Sequence, residues 1–374
     1  MSTAHEAARA DLLERAPGAG AADRLAYLDL ARCVAIVLMV FAHLGDQLLA
    51  PEAKTSILFH WYAKTRGITA PLFFVVAGWA FAYATIPRLQ RFRRWGPPLS
   101  RRLRRIGALY LCGYLLTLPW WASGFPFRVP SEVWTPFWAF GVLQCVATAL
   151  LVSHLLALVA GRPSAFARWA LAFALGSVAA APFIQGWAAS WPAHARGPWN
   201  ADSVPGGFPV APVAAYFWLG SALGTCCWAR GWPPARVALV TGGLAGALFA
   251  VGSGLHPPLL AWLGAQRFGQ ASPSLVLTRT AAALGIIAVL AGLSARARRL
   301  PWLVELCARR SLTFYLAHML MLWGVPFVPG LVHRVGRCLD VPLVAGATLA
   351  CLALIAAGCW LTRKMSQGRL TPEH

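Results

Sequence analysis

The stretch LDLARCVAIVLMVFAHLGDQLL, residues 28–49, decides the fold because it is an apolar run of membrane-spanning length that contains ionisable side chains. An α-helix needs roughly 20 apolar residues to cross the hydrocarbon core of a bilayer, and this run is that long. It nevertheless contains Asp29, Arg32, His43 and Asp46. Charge that faces lipid is costly, so these side chains are expected to face the interior of a helix bundle or a wet cavity.

Helical spacing places the four groups along one stripe of the predicted helix. Asp29 and Arg32 are three residues apart near its beginning and are predicted to form a charged helix face, with an anchoring ion pair as the structural alternative. His43 and Asp46 are also three residues apart. A neutral imidazole with a carboxylate one turn away is typical of a general base, so both are predicted to be catalytic. The alternative is a structural His–Asp hydrogen bond between helices.

Composition extends the membrane interpretation to the whole chain. Of its 374 residues 58% are hydrophobic and 12% are charged, and the mean hydropathy is +0.59. A soluble protein could not bury that much apolar surface. The formal net charge of +21 would suggest nucleic acid in a soluble protein, but no basic module with interleaved aromatic residues is present. We therefore expect the lipid bilayer as a partner and no nucleic acid.

Ten apolar runs predict an all-α, polytopic bundle of about ten transmembrane helices. The predicted transmembrane domain is 24–362, between a short disordered cytoplasmic N-terminus (1–23) and a cytoplasmic tail (363–374). No cleavable signal peptide is evident in 1–23. The runs lie at 28–50, 67–86, 105–121, 136–160, 167–187, 209–228, 236–255, 274–295, 311–329 and 341–362.

Arginine-rich loops predict the orientation. If all ten runs span the membrane, the loops at 88–105 and 296–310 lie on the side that also holds both termini. Cytoplasmic loops are enriched in Lys and Arg, so the predicted topology is N-in and C-in. The nine cysteines show no metal-ligand spacing, and no metal is expected.

Six segments, in order, resemble the catalytic-domain family of heparan-α-glucosaminide N-acetyltransferase. The first resembles its opening motif, R-x-x-x-x-D-x-x-R-G, and the last its G-R-x-x-L-F-Y-x-x-H ending. Cys33 stands where that family usually has Gly, and the large luminal loops of the animal enzymes are absent. The segments are RLAYLDLARCVAIVLMVFAHLGD (24–46), GITAPLFFVVAGWAFA (67–82), FGVLQCVATALLV (140–152), YFWLGSALG (216–224), ASPSLVLTRTAAALG (271–285) and CARRSLTFYLAHMLML (307–322).

The resemblance implies a transmembrane acyl transfer. Acetyl-CoA or another acyl-CoA, as co-substrate rather than bound cofactor, would bind from the cytoplasm, and the amine or hydroxyl of a glycan or amino sugar would approach from outside. His43 matches the family's polar position on the first helix. Gln144, Ser274 and His318 lie in matching segments and are expected to bind substrate. Since CoA phosphates need cations, Arg101 and Arg105 are candidates to bind them, with topology alone as the alternative.

Two other interpretations remain open. The related acyltransferase-3 family shares the R…D…R…H opening, and would imply an O-acyltransferase of surface polysaccharide or lipid. A transporter or flippase would use the charges of the first helix as an ion or proton relay. The expected location is the bacterial cytoplasmic (inner) membrane, with multiple passes, and the oligomeric state is open, a homodimer included.

Overall fold

The structure is a computed structural model that describes residues 25–93, 95–120, 125, 127–200, 207–267, 271–296, 300–325 and 328–368. The predicted disordered N-terminus, 1–23, and the last six residues of the predicted tail lie outside these ranges. Helices dominate the described residues, and one two-stranded hairpin accompanies them. The helices are α1 (Ala26–Leu48), α2 (Ile57–Arg66), α3 (Thr69–Thr85), α4 (Leu89–Phe92), α5 (Pro97–Thr117), α6 (Thr135–Trp138), α7 (Val142–Ala160), α8 (Pro163–Ala188), α9 (Ala193–Arg196), α10 (Val210–Arg230), α11 (Pro234–Arg267), α12 (Pro273–Ser294), α13 (Trp302–Arg309), α14 (Ser311–Trp323), α15 (Leu331–Val335) and α16 (Val341–Gly368).

Every one of the ten predicted apolar runs contains a helix. Within the described ranges, eight helical stretches are long and apolar enough to cross a membrane. They contain α1, α3 (which a 3₁₀ turn and α4 continue to Phe92), α7, α8, α10, α11, α12 and α16. The other two runs form α5, whose first half is rich in arginine, and α14, which has only 13 residues. Both fall short of the apolar length that a simple span needs, so the count of ten stays a prediction.

Helices α3 and α10, both largely buried, pack backbone to backbone. A Cβ at Gly78 would collide with the carbonyl of Phe217, and one at Gly220 would collide with the carbonyl of Val75. Ser221 adds a hydrogen bond from its hydroxyl to the carbonyl of Gly78, 3.2 Å away. Small residues of this kind let membrane helices approach backbone to backbone, where van der Waals packing replaces the missing hydrophobic effect.

The outer helices expose large apolar side chains instead. Helices α8, α11 and α16 are much less buried than α10, and their apolar side chains point outward. Such surfaces would be unfavourable in water but suit a protein surrounded by lipid. Examples of exposed residues are Trp169, Leu175, Phe183, Leu239, Phe249, Trp262, Leu349 and Leu354.

Helix α14 ends earlier than the apolar run 311–329 predicts. Gly324 has φ +96°, a left-handed conformation that glycine adopts without strain, and it takes the chain out of the helix. A short hairpin follows, with β1 (Gly324–Val325) antiparallel to β2 (Val328–Pro329). Past α15, backbone hydrogen bonds join Leu339 to Leu48 and Ala50, so the end of α1 is fixed beside the start of α16.

The bundle therefore has two chemically different ends. At the end where α1 begins, called here the arginine-rich end, lie Arg88, Arg91, Arg93, Arg101, Arg102, Arg104, Arg105, Arg309 and Arg310. The other end, where α1 and α14 finish, is called here the histidine end. It also holds α2, a short helix that the hydropathy pattern does not predict.

Candidate active site

His43 on α1 and His318 on α14 form a hydrogen-bonded pair. Nδ1 of His43 lies 2.8 Å from Nε2 of His318, although 275 residues separate them in the chain. The ring planes differ by 11° and the ring centroids are 5.1 Å apart. Stacked rings would hold all atoms of the two rings more than 3 Å apart, so the 2.8 Å distance between the nitrogen atoms excludes stacking. The two rings, nearly parallel and with centroids 5.1 Å apart, therefore lie edge to edge in one plane. The contact is thus an in-plane hydrogen bond rather than a face-to-face stack.

A backbone carbonyl sets the direction of this hydrogen-bonded chain. Nδ1 of His318 lies 2.8 Å from the carbonyl oxygen of Phe314, one turn earlier on α14. A carbonyl only accepts, so Nδ1 of His318 carries the hydrogen and, in the neutral ring, Nε2 accepts. His43 then donates from its own Nδ1 to His318. In this neutral pair Nε2 of His43 is left without a proton, ready to accept one.

His318 is more deeply buried than His43. The His318 side chain is fully enclosed, while that of His43 keeps partial exposure. Tyr315 packs against the His318 ring edge to face, with centroids 5.5 Å apart. Because His318 is fixed on both sides, it is suited to hold the His43 ring in one orientation, while the more exposed His43 can meet a substrate.

Asp46 does not pair with His43 as the sequence spacing predicts. Its Oδ2 lies 2.6 Å from Nη2 of Arg66, the last residue of α2. Three residues rotate a helix about 60° short of a full turn, which directs Asp46 away from the His43–His318 plane and toward α2. Tyr62 holds α2 against this part of α1, since its hydroxyl donates to the carbonyl of Ala42 over 3.1 Å. The partner of His43 is therefore His318, and the predicted orienting contact from Asp46 is wrong.

Asp29 and Arg32 form an ion pair at the arginine-rich end, which is the structural alternative to the predicted charged helix face. Nη1 of Arg32 lies 2.8 Å from Oδ1 of Asp29, and the Asp29 side chain is 5% exposed. The two residues lie within one helix, so their spacing of three residues was sufficient to indicate this alternative. The pair lies about one turn after the beginning of α1 and more than two turns before His43.

Gln144 and Ser274, both predicted to bind substrate, are buried at the histidine end. Gln144 lies in the first turn of α7, and its amide group occupies the space left by the missing side chains of Gly113 and Gly141. Ser274 lies in the first turn of α12, where its hydroxyl is 2.8 Å from that of Ser272 and 3.3 Å from Nδ1 of His256. Both are thus at the same end as His43, and neither contacts the His43–His318 pair directly.

Arg101 and Arg105 lie exposed on α5 at the arginine-rich end. Of the two arginines between them, Arg104 is exposed and Arg102 turns inward. Its guanidinium carbon lies 5.4 Å from the ring centre of Phe81 and 5.0 Å from that of Phe92. A guanidinium on aromatic faces is stabilised by cation–π attraction, so Arg102 packs into the bundle while its neighbours reach solvent.

Three further residues at the histidine end were not predicted from the sequence. They are Arg66 at the end of α2, Tyr62 on the same helix, and Arg279 on α12. Arg279 was recognisable as a lone arginine inside an apolar run of spanning length, which is itself a functional signal. Arg66 has no such signal, because it lies outside the predicted apolar runs and its role is indicated only by its contact with Asp46.

Comparison with protein-family models identifies residues 25–363 as an acyltransferase domain of the acyltransferase-3 type. The chain belongs to the acyltransferase-3 family. This is the second of the two related families that the sequence resembles, and membership of the first is not confirmed. A search of curated proteins found no match. The family match includes all ten predicted apolar runs and both His43 and His318. Membership of this family indicates that this multi-pass membrane protein is a membrane acyltransferase. A transporter or flippase is not favoured.

Proposed function

We propose that this acyltransferase moves an acetyl or other acyl group from cytoplasmic acyl-CoA to the amine or hydroxyl of a sugar at the outer side of the membrane. The observation that carries the proposal is the chain from the Phe314 carbonyl through His318 to His43, because it leaves Nε2 of His43 as an oriented base. The reaction would be similar to that of heparan-α-glucosaminide N-acetyltransferase in its sidedness. Modification of a polysaccharide at a bacterial inner membrane is the setting we propose.

In the proposed reaction, Nε2 of His43 removes a proton as the acceptor oxygen or nitrogen attacks the thioester carbonyl. A C–O or C–N bond forms, the C–S bond breaks, and the proton passes from His43 to the sulfur of the departing CoA. His318 keeps the His43 ring in place and accepts its Nδ1–H throughout. A positioned base of this kind contributes roughly 10²–10⁴-fold to such a step.

Acyl-CoA would approach from the arginine-rich end. There the exposed guanidinium groups of Arg101 and Arg105 are available for the CoA phosphates, to which arginine can donate two parallel hydrogen bonds. The acceptor would meet His43 at the histidine end, with Gln144 and Ser274 as further substrate contacts. His43 lies five residues from the end of α1, or about 8 Å along the helix axis, so a sugar on that side needs only a shallow entry.

The direct test is release of free thiol from acetyl-CoA by the purified full chain, with and without glucosamine as acceptor. Glucosamine offers both an amine and hydroxyls, and mass spectrometry of the product distinguishes N- from O-acetylation. We expect release that depends on the acceptor. Absence of thiol release with every amino-sugar and sugar acceptor, in protein that is correctly inserted, would reject the proposed reaction.

The proposed sidedness has its own experiment. Reporter fusions that end after residue 93 should report a cytoplasmic position, and fusions that end after residue 200 should report the outside. A reversed result would move the acyl-CoA site to the other end of the bundle and remove the role proposed for Arg101 and Arg105.

A further inference from the structure

Positive charge exceeds negative charge around Asp46 at the histidine end. Asp46 forms its ion pair with Arg66, and it is also within electrostatic range of Lys54 and Arg337. Arg66 lies within electrostatic range of His43 as well, and its side chain is 52% exposed. One carboxylate therefore faces three cations next to the proposed base.

Other acids in this region do not balance that charge. Asp340 caps α16, where its Oδ1 accepts from the backbone N–H of Leu343 over 2.9 Å. Glu52 is exposed in the 3₁₀ turn that follows α1. Neither forms an ion pair with a described residue, since the ion pairs of the described ranges join only Asp29 to Arg32, Asp46 to Arg66 and Glu305 to Arg309.

Arg279 adds a fourth cation to the same region. It lies on α12, half buried, and reaches across to the start of α3, where its Nε is 3.0 Å from the position a Cβ would take at Gly67. Its guanidinium also interacts with the buried phenol of Tyr216 on α10. Gly67 directly follows Arg66 in the chain, so Arg279 and Arg66 flank one junction between α2 and α3.

Two physical costs oppose this arrangement. A guanidinium within an apolar bundle is expensive unless it is paired, and no carboxylate of the described residues is paired with Arg279. Arginine is also normally retained on the cytoplasmic side, whereas these residues lie opposite the arginine-rich end. An anionic ligand would offset both costs, because a guanidinium binds carboxylate or phosphate oxygens with two parallel hydrogen bonds.

We infer that the acceptor is an anionic sugar, whose carboxylate or phosphate group binds Arg279 and Arg66 while its reacting amine or hydroxyl lies at His43. The inference rests on the proposed function and adds the chemical class of the acceptor to it. The Asp46 carboxylate neutralises part of the Arg66 charge and orients that side chain. Arg279, which lacks such a partner among the described residues, supplies the larger share of the selectivity.

The test compares three acceptors that share an amine and a 6-hydroxyl. Glucosamine has no anionic group, glucosamine 1-phosphate adds a phosphate, and muramic acid adds a carboxylate. The full chain is assayed in nanodiscs of neutral lipid, which removes competition from anionic head groups, with acetyl-CoA as donor. We expect kcat/KM for at least one anionic acceptor to exceed that for glucosamine by about tenfold or more, as hydrogen bonds to charged groups imply, and to decline with added salt.

Variants then assign the preference to residues. Arg279→Gln should lower kcat/KM for the preferred anionic acceptor at least about tenfold more than that for glucosamine, and Arg279→Lys should lie between it and the parent. Arg334→Gln is the matched control: it lies at the same end, is exposed, and donates from its Nε to the carbonyl of Pro329. We expect no change of acceptor preference in the control.

The results distinguish failure of the inferred acceptor class from failure of the proposed acyl transfer. Equal kcat/KM for all three acceptors, or a preference that survives in both Arg279→Gln and Arg66→Gln, overturns the inference and leaves the proposed function intact. If no acceptor supports turnover, the proposed function fails first. Direct binding still decides the inference in that case: tighter binding of an anionic sugar to the parent than to Arg279→Lys supports it, and equal binding overturns it.

Discussion

The two ends of α1 hold their ionisable side chains in different ways. At its beginning, Asp29 pairs with Arg32 of the same helix, and the carboxylate is almost fully enclosed. At its end, His43 pairs with His318 of α14 and Asp46 pairs with Arg66 of α2. The same spacing of three residues thus produced a contact at one end and none at the other. Spacing within the helix predicted the pair at the first end, whereas at the other end the partners come from α14 and α2.

This difference also separates a structural role from a chemical one. Asp29 and Arg32 form an ion pair between two residues of one helix, and this pair resembles an anchor at the membrane interface. The polar groups at the histidine end depend on three separate helices, α1, α2 and α14, and one of their nitrogen atoms remains available. Substitutions at the histidine end should therefore affect turnover much more than substitutions at the arginine-rich end.

The largest effect is expected for His43→Ala. Loss of the proposed base should lower kcat by about 10²-fold or more while leaving the KM for acyl-CoA nearly unchanged. The activity of the parent enzyme should fall as pH drops through the range in which His43 becomes charged, because an imidazolium cannot accept the proton of the acceptor. Steady-state kinetics with varied acyl-CoA and a pH–rate profile check both expectations.

The matched control for this substitution is His60→Ala. His60 lies exposed on α2 at the same end, so its loss should leave kcat within about twofold of the parent. If His43→Ala is inserted normally and turns over at the parent rate, His43 is not the base.

The second largest effect is expected for His318→Ala. His43 would remain, but the acceptor of its Nδ1–H and the constraint on its ring would be lost, so kcat should fall by about tenfold, less than for His43→Ala. His318→Gln is the sharper variant, because its side-chain oxygen can accept from His43 and should recover part of the rate.

Recovery in the Gln variant is the result that a merely structural role would not produce. A rate for His318→Ala equal to that of the parent would show that His43 needs no partner on α14. A rate lower than that of His43→Ala would instead move the base itself to His318.

A smaller effect is expected at the arginine-rich end. Arg101→Ala combined with Arg105→Ala should raise the KM for acyl-CoA several-fold, with kcat nearly unchanged, and the difference should shrink at high salt because exposed charges are screened. The matched control is Arg230→Ala combined with Arg236→Ala, at the same end, where each guanidinium lies over the ring of Trp232. If the KM for acyl-CoA is the same in the double variant and in its control, Arg101 and Arg105 do not bind CoA and serve only to set the membrane topology.

Sequence pattern was sufficient to predict the fold class and most helix positions. All ten apolar runs contain helices, because a membrane allows few backbone arrangements and each run must satisfy its own hydrogen bonds. The predicted boundaries were wrong in two places: Gly324 ends α14 early, and the segment Ile57–Arg66 between the first two runs forms the helix α2. The apolar runs, on which the prediction of helices was based, indicate neither feature.

The site was predictable only in part. His43 could be recognised as an intramembrane histidine, and the Asp29–Arg32 pair by its spacing. The partner of His43 could not, because a contact across 275 residues depends on how α14 packs beside α1. Likewise, the partner of Asp46 comes from α2, a helix that hydropathy does not predict. Local spacing favoured Asp46 as the orienting group, and tertiary packing supplied His318 instead.

The smallest effect, and the one that best separates these two partners, is expected for Asp46→Asn. If His318 orients His43, the loss of the Asp46–Arg66 ion pair should change kcat by no more than about fivefold, which is the range for a pair whose arginine is half exposed. Asp46→Asn combined with Arg66→Gln should then have the same kcat as Arg66→Gln alone, because both substitutions remove one interaction. The kcat is measured at saturating acceptor concentration, so that a change in acceptor binding does not affect it. A fall in kcat as large as that of His43→Ala would instead mean that Asp46 contacts His43 during catalysis, and that the local spacing of α1 had identified the right pair.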